Sequence, residues 1–112
     1  MSLVFKRKSV RKYTDEKVPD EVIENLLKAG MQAPSACNQQ AWEFIVLSKM
    51  EDRQVISEMH RFAKPARDAS HLIVTLGNLN EAKVHGMIEQ DLGACNENIL
   101  LQATHEGWAP FG

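Results

Sequence analysis

Apolar residues recur at helical spacing in the segment that follows Pro19. They are Val22, Ile23, Leu26, Leu27, Gly30 and Met31. Asp20 stands before this run as a candidate N-cap, and Pro34 stands at its end, where a helix cannot continue. The pattern predicts an amphipathic helix of about three turns.

Two later apolar runs have the length and composition of strands rather than helices. The stretch WEFIVLS covers residues 42–48, and SHLIVTLG covers residues 70–77. Both are short and rich in β-branched or aromatic residues, which is typical of buried strands. The segment between them, EDRQVISEMHRFA, has the spacing of a helix.

The last long segment, DLGACNENILLQATHEG, predicts a second major helix over residues 91–107. Leu92, Cys95, Ile99 and Ala103 recur at helical spacing, and further apolar residues lie between them. A helix that is apolar on most sides is usually buried, and Gly107 is a suitable C′ residue. Strands that alternate with helices favour an α/β or α+β fold. With no repeat or linker, residues 1–112 are expected to form one domain.

Composition and charge narrow the class of protein further. The 112 residues are 44% hydrophobic and 25% charged, with a net charge of −2, which indicates a globular protein with one small core. This charge gives no reason to expect a nucleic acid or a membrane as partner. No apolar run approaches the roughly 20 residues that span a bilayer, so a cytoplasmic location is expected. Cys37 and Cys95 form no CxxC pair and are expected to be reduced and structural.

A cluster of basic residues, the basic arm, occupies positions 6–12. The sequence KRKSVRK places Arg7, Lys8, Ser9 and Arg11 within five positions. Guanidinium groups and a hydroxyl at this density suit a phosphate, and Arg7 and Arg11 would share a face in a helical turn. A solvated basic arm without a ligand is the alternative.

The stretch APSACNQQAW, between the first helix and the first strand, is rich in small and amide residues. Pro34 stiffens the helix exit, and Ser35 and Ala36 leave room for another group near the backbone. The amides at positions 38–40 carry donors and acceptors together, which matches the edge of a heteroaromatic ring. The alternative is a polar connection anchored by Trp42.

Other common site motifs are absent from the sequence. The four histidines show no metal-ligand spacing, and no metal site is predicted. The chain also lacks GxSxG, P-loop and GxGxxG motifs, which leaves nucleophilic hydrolysis, NTP hydrolysis and Rossmann-type binding without support.

Taken in order, several stretches resemble landmarks of the nitroreductase family of FMN-dependent oxidoreductases. They are RKSVRKY, the helix after VPDEVI, APSACNQQAW with FIVL, DASHLIV, and DLGACNENILL. Specificity lies in an Arg-x-Ser-x-Arg motif followed by Pro-Ser-x-x-Asn-x-Gln and later by Asp-x-Gly-Ala. The resemblance covers almost the whole chain.

The resemblance implies an α+β fold, with a mixed sheet flanked by helices in an interlocked homodimer that holds FMN at its interface. Residues Arg7, Lys8, Ser9 and Arg11 would hold the phosphate and ribityl chain. The partner subunit would line the flavin with Pro34, Ser35, Ala36, Asn38 and Gln40. The last helix, with Asp91, Gly93, Ala94, Asn98 and Leu101 in the family pattern, would serve dimer packing.

The resemblance also implies a reaction. Hydride would pass from NAD(P)H through flavin N5 to a small-molecule acceptor such as a nitroaromatic or a quinone. Because the flavin performs the redox chemistry, no catalytic side chain is expected.

The sequence departs from the family pattern in three places. Ala41 stands where a proline is common, and Ala109 stands where a second glycine is expected. The chain also stops after EGWAPFG, so that about the last third of a typical small member is expected to be missing. A non-catalytic homodimeric remnant, or a weak flavin-binding module without turnover, is therefore the alternative to an active oxidoreductase.

Overall fold

The computed structural model describes residues 2–111. Within this range the chain forms four α-helices and two strands. In chain order they are α1 (Leu3–Lys6), α2 (Asp20–Met31), β1 (Trp42–Leu47), α3 (Met50–Met59), β2 (Leu72–Gly77) and α4 (Ile88–His105). Short 3₁₀ segments lie at Ala36–Asn38, Arg61–Arg67 and His85–Met87.

The two strands pair antiparallel, with Trp42 opposite Gly77 and Leu47 opposite Leu72. Helices pack beside this pair, which confirms the predicted α+β class. The sheet of residues 2–111 consists of these two antiparallel strands, so the mixed character expected of the sheet is not seen among them. The prediction of two buried strands was wrong for one face, because Ile45 and Leu76 are 46% and 40% exposed.

The core lies where α2 packs against α4. Its buried members are Ile23, Leu26, Ala33, Cys95, Ile99 and Ala103. Trp42, Phe44 and Ile73 from the sheet pack against the same cluster. The amphipathic pattern predicted for α2 is confirmed, since Ile23 and Leu26 carry its buried stripe.

Gly30 marks the close approach of α2 to α4, and Gly30→Ala tests that packing. A Cβ at this position would lie 2.9 Å from Cys95 Sγ and 3.0 Å from Ile99 Cγ1. We expect the substitution to lower the free energy of unfolding by about 1–2 kcal/mol, because overpacking outweighs the gain in helix propensity. Urea denaturation followed by circular dichroism measures the change. The control is Gly86→Ala, since no heavy atom lies within 4 Å of that position. Equal stability of both variants would contradict the packing.

The ends of the two long helices test the predicted caps. Asp20 was predicted as the N-cap of α2, but Pro19 occupies that position and Asp20 is the first helical residue. An acidic residue is also favourable there, because it faces the positive end of the helix dipole. At the end of α4, Gly107 has φ 83°. The Trp108 N–H donates to the Ala103 carbonyl over 2.9 Å, so the predicted C′ glycine is confirmed in a Schellman motif.

The helix predicted between the strands is divided into two parts. α3 ends at Met59, and the 3₁₀ segment Arg61–Arg67, which contains Pro65, follows it. Arg53 joins the two parts from a position only 4% exposed. Its guanidinium donates to the carbonyls of Ser48, Arg67 and Ala69. This side chain therefore anchors α3 to the segment that leads into β2.

Candidate functional site

The connection from α2 to β1 has an unusual backbone. Cys37, Asn38 and Gln40 have φ values of 51°, 52° and 47°. Residues other than glycine seldom adopt this left-handed region, and they remain there when surrounding contacts hold them. The loop of residues 36–40 is therefore a constrained segment rather than a loose connection.

Gln39 supplies most of those contacts. Its Oε1 accepts from the N–H groups of Lys83 and Val84 over 3.0 and 2.9 Å. Its Nε2 donates to the Val84 carbonyl over 3.1 Å and to Asp91 Oδ2 over 2.7 Å. The second carboxylate oxygen, Asp91 Oδ1, accepts from the Ala36 N–H over 3.0 Å. We call this set of bonds the Gln39–Asp91 clasp.

The other predicted residues of the loop lie at or near the surface. Pro34, Asn38 and Gln40 are exposed, and Ser35 and Ala36 are half-buried. Ser35 Oγ accepts from the Gln40 N–H over 3.1 Å, which adds a local support to the turn. The loop therefore exposes the amide side chains of Asn38 and Gln40. Its backbone is held by the bonds of Gln39 and Asp91 to the rest of the protein.

The basic arm leaves α1 after Lys6, and its residues 7–12 lie outside any helix or strand. Arg7 has φ −61° and ψ 133° and ends α1. Arg7 and Arg11 therefore do not lie in one helical turn, the arrangement in which they would share a face. The Arg7 Nε lies 3.4 Å from Glu97 Oε1. This ion pair, between residues far apart in sequence, joins the basic arm to α4.

The end of the basic arm packs on the segment after α4. The Val10 N–H donates to the Pro110 carbonyl over 2.9 Å. The Arg11 guanidinium carbon lies 5.1 Å from the centroid of the Phe111 ring, within the range of a cation–π interaction. Lys8 is exposed and Ser9 is half-buried. Neither Lys8 nor Arg11 forms an ion pair within residues 2–111.

Arg11 also borders a cavity of about 630 Å³ that is lined by cations. The other basic residues at its wall are Arg61, Lys64 and Arg67. Asp68 pairs with Arg67 over 3.5 Å, and Glu58 is the other acid at the wall. Cations thus outnumber acids locally on a chain whose net charge is −2, and the cavity favours anions.

A second, larger groove lies between β2, α4 and the residues before α2. It measures about 690 Å³, and Tyr13 and His71 line it. Burial raises the pKa of Tyr13, and Arg11 partly opposes this effect. Burial lowers the pKa of His71, and Asp20 partly opposes it. Both pKa shifts favour the neutral forms of these side chains. The Ser70 Oγ lies within hydrogen-bonding distance of His71 Nδ1, at 2.7 Å.

Both predicted motifs contact α4, but on different sides of it. The basic arm reaches Glu97, and the loop reaches Asp91. Six residues of α-helix separate the two contacts by about 9 Å along the axis and about 120° around it. One chain therefore does not bring its own arm and its own loop to a single face of α4.

Two residues contribute more to the structure of the 36–40 loop than the sequence indicated. Asp91 was expected to serve packing in α4, yet its carboxylate is 8% exposed and holds the loop. Gln39 was one of three similar amides, and it alone turns inward. The sequence contains one signal for Asp91, which stands at helical spacing from the apolar positions 88 and 95. A carboxylate on the buried side of a helix requires hydrogen-bond donors.

Two further classes of site are not found in the described part of the chain. Residues 2–111 hold no group of three or more His, Cys, Asp or Glu side chains that could bind a metal ion. Over the same residues, every helix is too short or too polar to cross a membrane.

Comparison with known proteins bears on both motifs at once. Residues 4–80 match the model of the nitroreductase family. A protein of Archaeoglobus fulgidus with the provisional name NADH dehydrogenase/NAD(P)H nitroreductase is 40% identical over 104 residues, 92% of this chain and 60% of that protein.

Solved structures agree with this match. A Clostridium acetobutylicum protein, provisionally named NADH oxidase, has a TM-score of 0.92 and 44% identity over 94% of this chain and 63% of its own. An FMN-dependent nitroreductase of Clostridium difficile R20291 has a TM-score of 0.84 and 30% identity over 95% and 61%. The chain thus spans about three fifths of these relatives. Since the matching family model covers more than half of it, the chain belongs to the nitroreductase family.

Proposed function

We propose that this chain acts in an FMN-dependent oxidoreductase that passes hydride from NAD(P)H to a small electrophile such as a quinone or a nitroaromatic. The main support is that residues 4–80, which match the family model, include both the basic arm and the 36–40 loop. The names of the Archaeoglobus and Clostridium difficile relatives point to the same reductant and cofactor.

The basic arm suits the phosphate of FMN. Lys8 and Arg11 have no competing ion pair within residues 2–111, and the cation-lined cavity beside Arg11 adds positive potential. Arg7 would exchange or share its bond to Glu97 when a phosphate binds. Ser9 adds a short hydroxyl donor. Charge-assisted bonds from guanidinium and ammonium groups are the strong contacts that hold phosphates in proteins.

The loop suits the ring system of the flavin. Asn38 and Gln40 offer exposed amides to its alternating N–H and C=O groups. Pro34, Ser35 and Ala36 form a wall of small side chains that a flat ring can approach closely. Bound FMN would supply hydride-transfer chemistry, while the chain binds and orients it. No side chain need act as a general base.

Two copies of the chain would complete each site. The arm and the loop of one chain lie on different faces of α4, so the loop facing a bound flavin would come from the partner. Exposed apolar side chains support such an assembly, since Val4 and Phe5 of α1 are 68% and 79% exposed. Burial of apolar groups of this kind is a common driving force for association.

The first test is the visible absorption spectrum of the purified chain, combined with titration of added FMN and light scattering. We expect a flavin band with one FMN per chain, a dimeric mass at micromolar concentration, and NAD(P)H oxidation when a quinone is added. A colourless dimer that takes up no FMN would favour the non-catalytic alternative. A monomer would contradict the shared site.

A further inference from the structure

We propose that Gln39 and Asp91 are positioning residues that set the conformation of the flavin-binding loop. The inference rests on the proposed function and adds two residues, neither of which is expected to touch the cofactor. It assigns to α4 a role in the site that goes beyond packing.

The three adjacent amides of the loop are placed unequally. Asn38 and Gln40 are exposed, whereas Gln39 is half-buried and faces Asp91. Left-handed backbone at positions 38 and 40 directs the chain so that one amide enters the protein while its neighbours remain outside. The contacts of Gln39 thus fix the positions of Asn38 and Gln40 at the surface.

The hydrogen-bonding capacity of the Gln39 side chain is filled. A carboxamide offers two donor hydrogens and two acceptor lone pairs. All four are used, on two backbone N–H groups, one carbonyl and the Asp91 carboxylate. A glutamate at this position has the same shape, but it would place an acceptor against Asp91 and the Val84 carbonyl. The site therefore distinguishes an amide from an acid of equal size.

Asp91 connects the loop to the long helix α4. It lies in the first turns of α4, is 8% exposed, and bonds to the loop through both of its oxygens. Its neighbours on the same side of α4, Ile88 and Cys95, are both buried. A shift of the loop would therefore break its hydrogen bonds to Asp91, because α4 is held in place by its buried side chains.

The test compares Gln39→Glu with the double variant Gln39→Glu/Asp91→Asn, which exchanges the acid and the amide. The single variant is expected to raise the FMN dissociation constant about thirtyfold or more and to alter the visible circular dichroism of bound FMN. The exchange restores a donor facing the introduced acid, and it is expected to recover about tenfold of the affinity.

Two control variants separate positioning from general effects. Gln32→Glu makes the same chemical change at an exposed amide after α2, and it should leave FMN affinity unchanged. Ile99→Val weakens the core, so it should lower the melting temperature without changing FMN affinity or the dichroism. In flavin-free protein, the Ala36 and Val84 amides should exchange hydrogen at least about tenfold faster in Gln39→Glu than in the parent chain.

The outcomes distinguish this inference from the proposed function. If the parent chain binds FMN and Gln39→Glu binds it equally well with the same dichroism, the positioning role is wrong while the proposed function stands. If Ile99→Val loses as much affinity as Gln39→Glu, the effect is general destabilisation and the role is again wrong. If the parent chain binds no FMN, both fail.

Discussion

Replacement of Arg53 by methionine is expected to lower the free energy of unfolding by about 2–4 kcal/mol. The guanidinium is buried, and it donates to backbone carbonyls at positions 48, 67 and 69. Hydrogen bonds from a charged group contribute roughly 1.5–3 kcal/mol each, and the cost rises when a buried partner is left without a donor. Methionine fills part of the volume but offers no N–H group to the three carbonyls.

Urea denaturation at one protein concentration measures this loss. Arg61→Met is the matched control because Arg61 is exposed, and a change within about 0.5 kcal/mol is expected there. Arg53→Lys should fall between the parent chain and Arg53→Met, since one ammonium cannot reproduce the planar fork of donors. An unchanged midpoint for Arg53→Met would mean that water satisfies the same carbonyls.

Local signals were enough to predict the two long helices. The apolar stripe of α2 and the C′ glycine after α4 depend on residues within one or two helical turns of each other. The local pattern of the sequence therefore predicts both. The alternation of these helices with two apolar runs predicted an α/β or α+β fold, and the resemblance to the nitroreductase family narrowed this to α+β. The N-cap of α2 was misplaced by one residue because Asp20 is also favourable in the first turn.

Long-range contacts explain what the sequence did not predict. Arg7 is drawn to Glu97, which is 90 positions later in the chain, and the Val10 backbone pairs with Pro110. These contacts accompany a non-helical backbone over residues 7–12, although the composition of the arm also suits a helix. Ile45 was expected to be buried, but no element of residues 2–111 covers its face of the sheet.

The candidate site was predicted by residue type and not by geometry. The amides at positions 38 and 40 are exposed, as the proposed ligand-binding wall requires, and their contact with a flavin stays a prediction. Nothing in the letters NQQ distinguishes the middle amide, because its role depends on Asp91, which is 52 positions away. Motif spacing thus predicts a candidate binding loop, but the residues that hold this loop are identified only from the folded structure.

The double variant Arg7→Ala/Arg11→Ala is expected to weaken FMN binding by about two to four orders of magnitude while the fold is kept. Each lost charge-assisted bond to the phosphate accounts for roughly 1.5–3 kcal/mol. Both side chains are on a surface arm, and neither belongs to the core. Quenching of FMN fluorescence measures the affinity, and far-ultraviolet circular dichroism checks the fold.

Riboflavin makes this experiment specific, because it has the same ring system and ribityl chain but no phosphate. If the basic arm binds the phosphate, the double variant should lose far more affinity for FMN than for riboflavin, and the difference should shrink at high salt. Lys28→Ala/Lys49→Ala removes the same charge from two exposed positions away from the arm, and it should leave FMN affinity nearly unchanged. Equal losses for FMN and riboflavin would assign the arm to the ring or to the fold. Unchanged FMN affinity in a folded double variant would reduce the arm to a solvated basic segment.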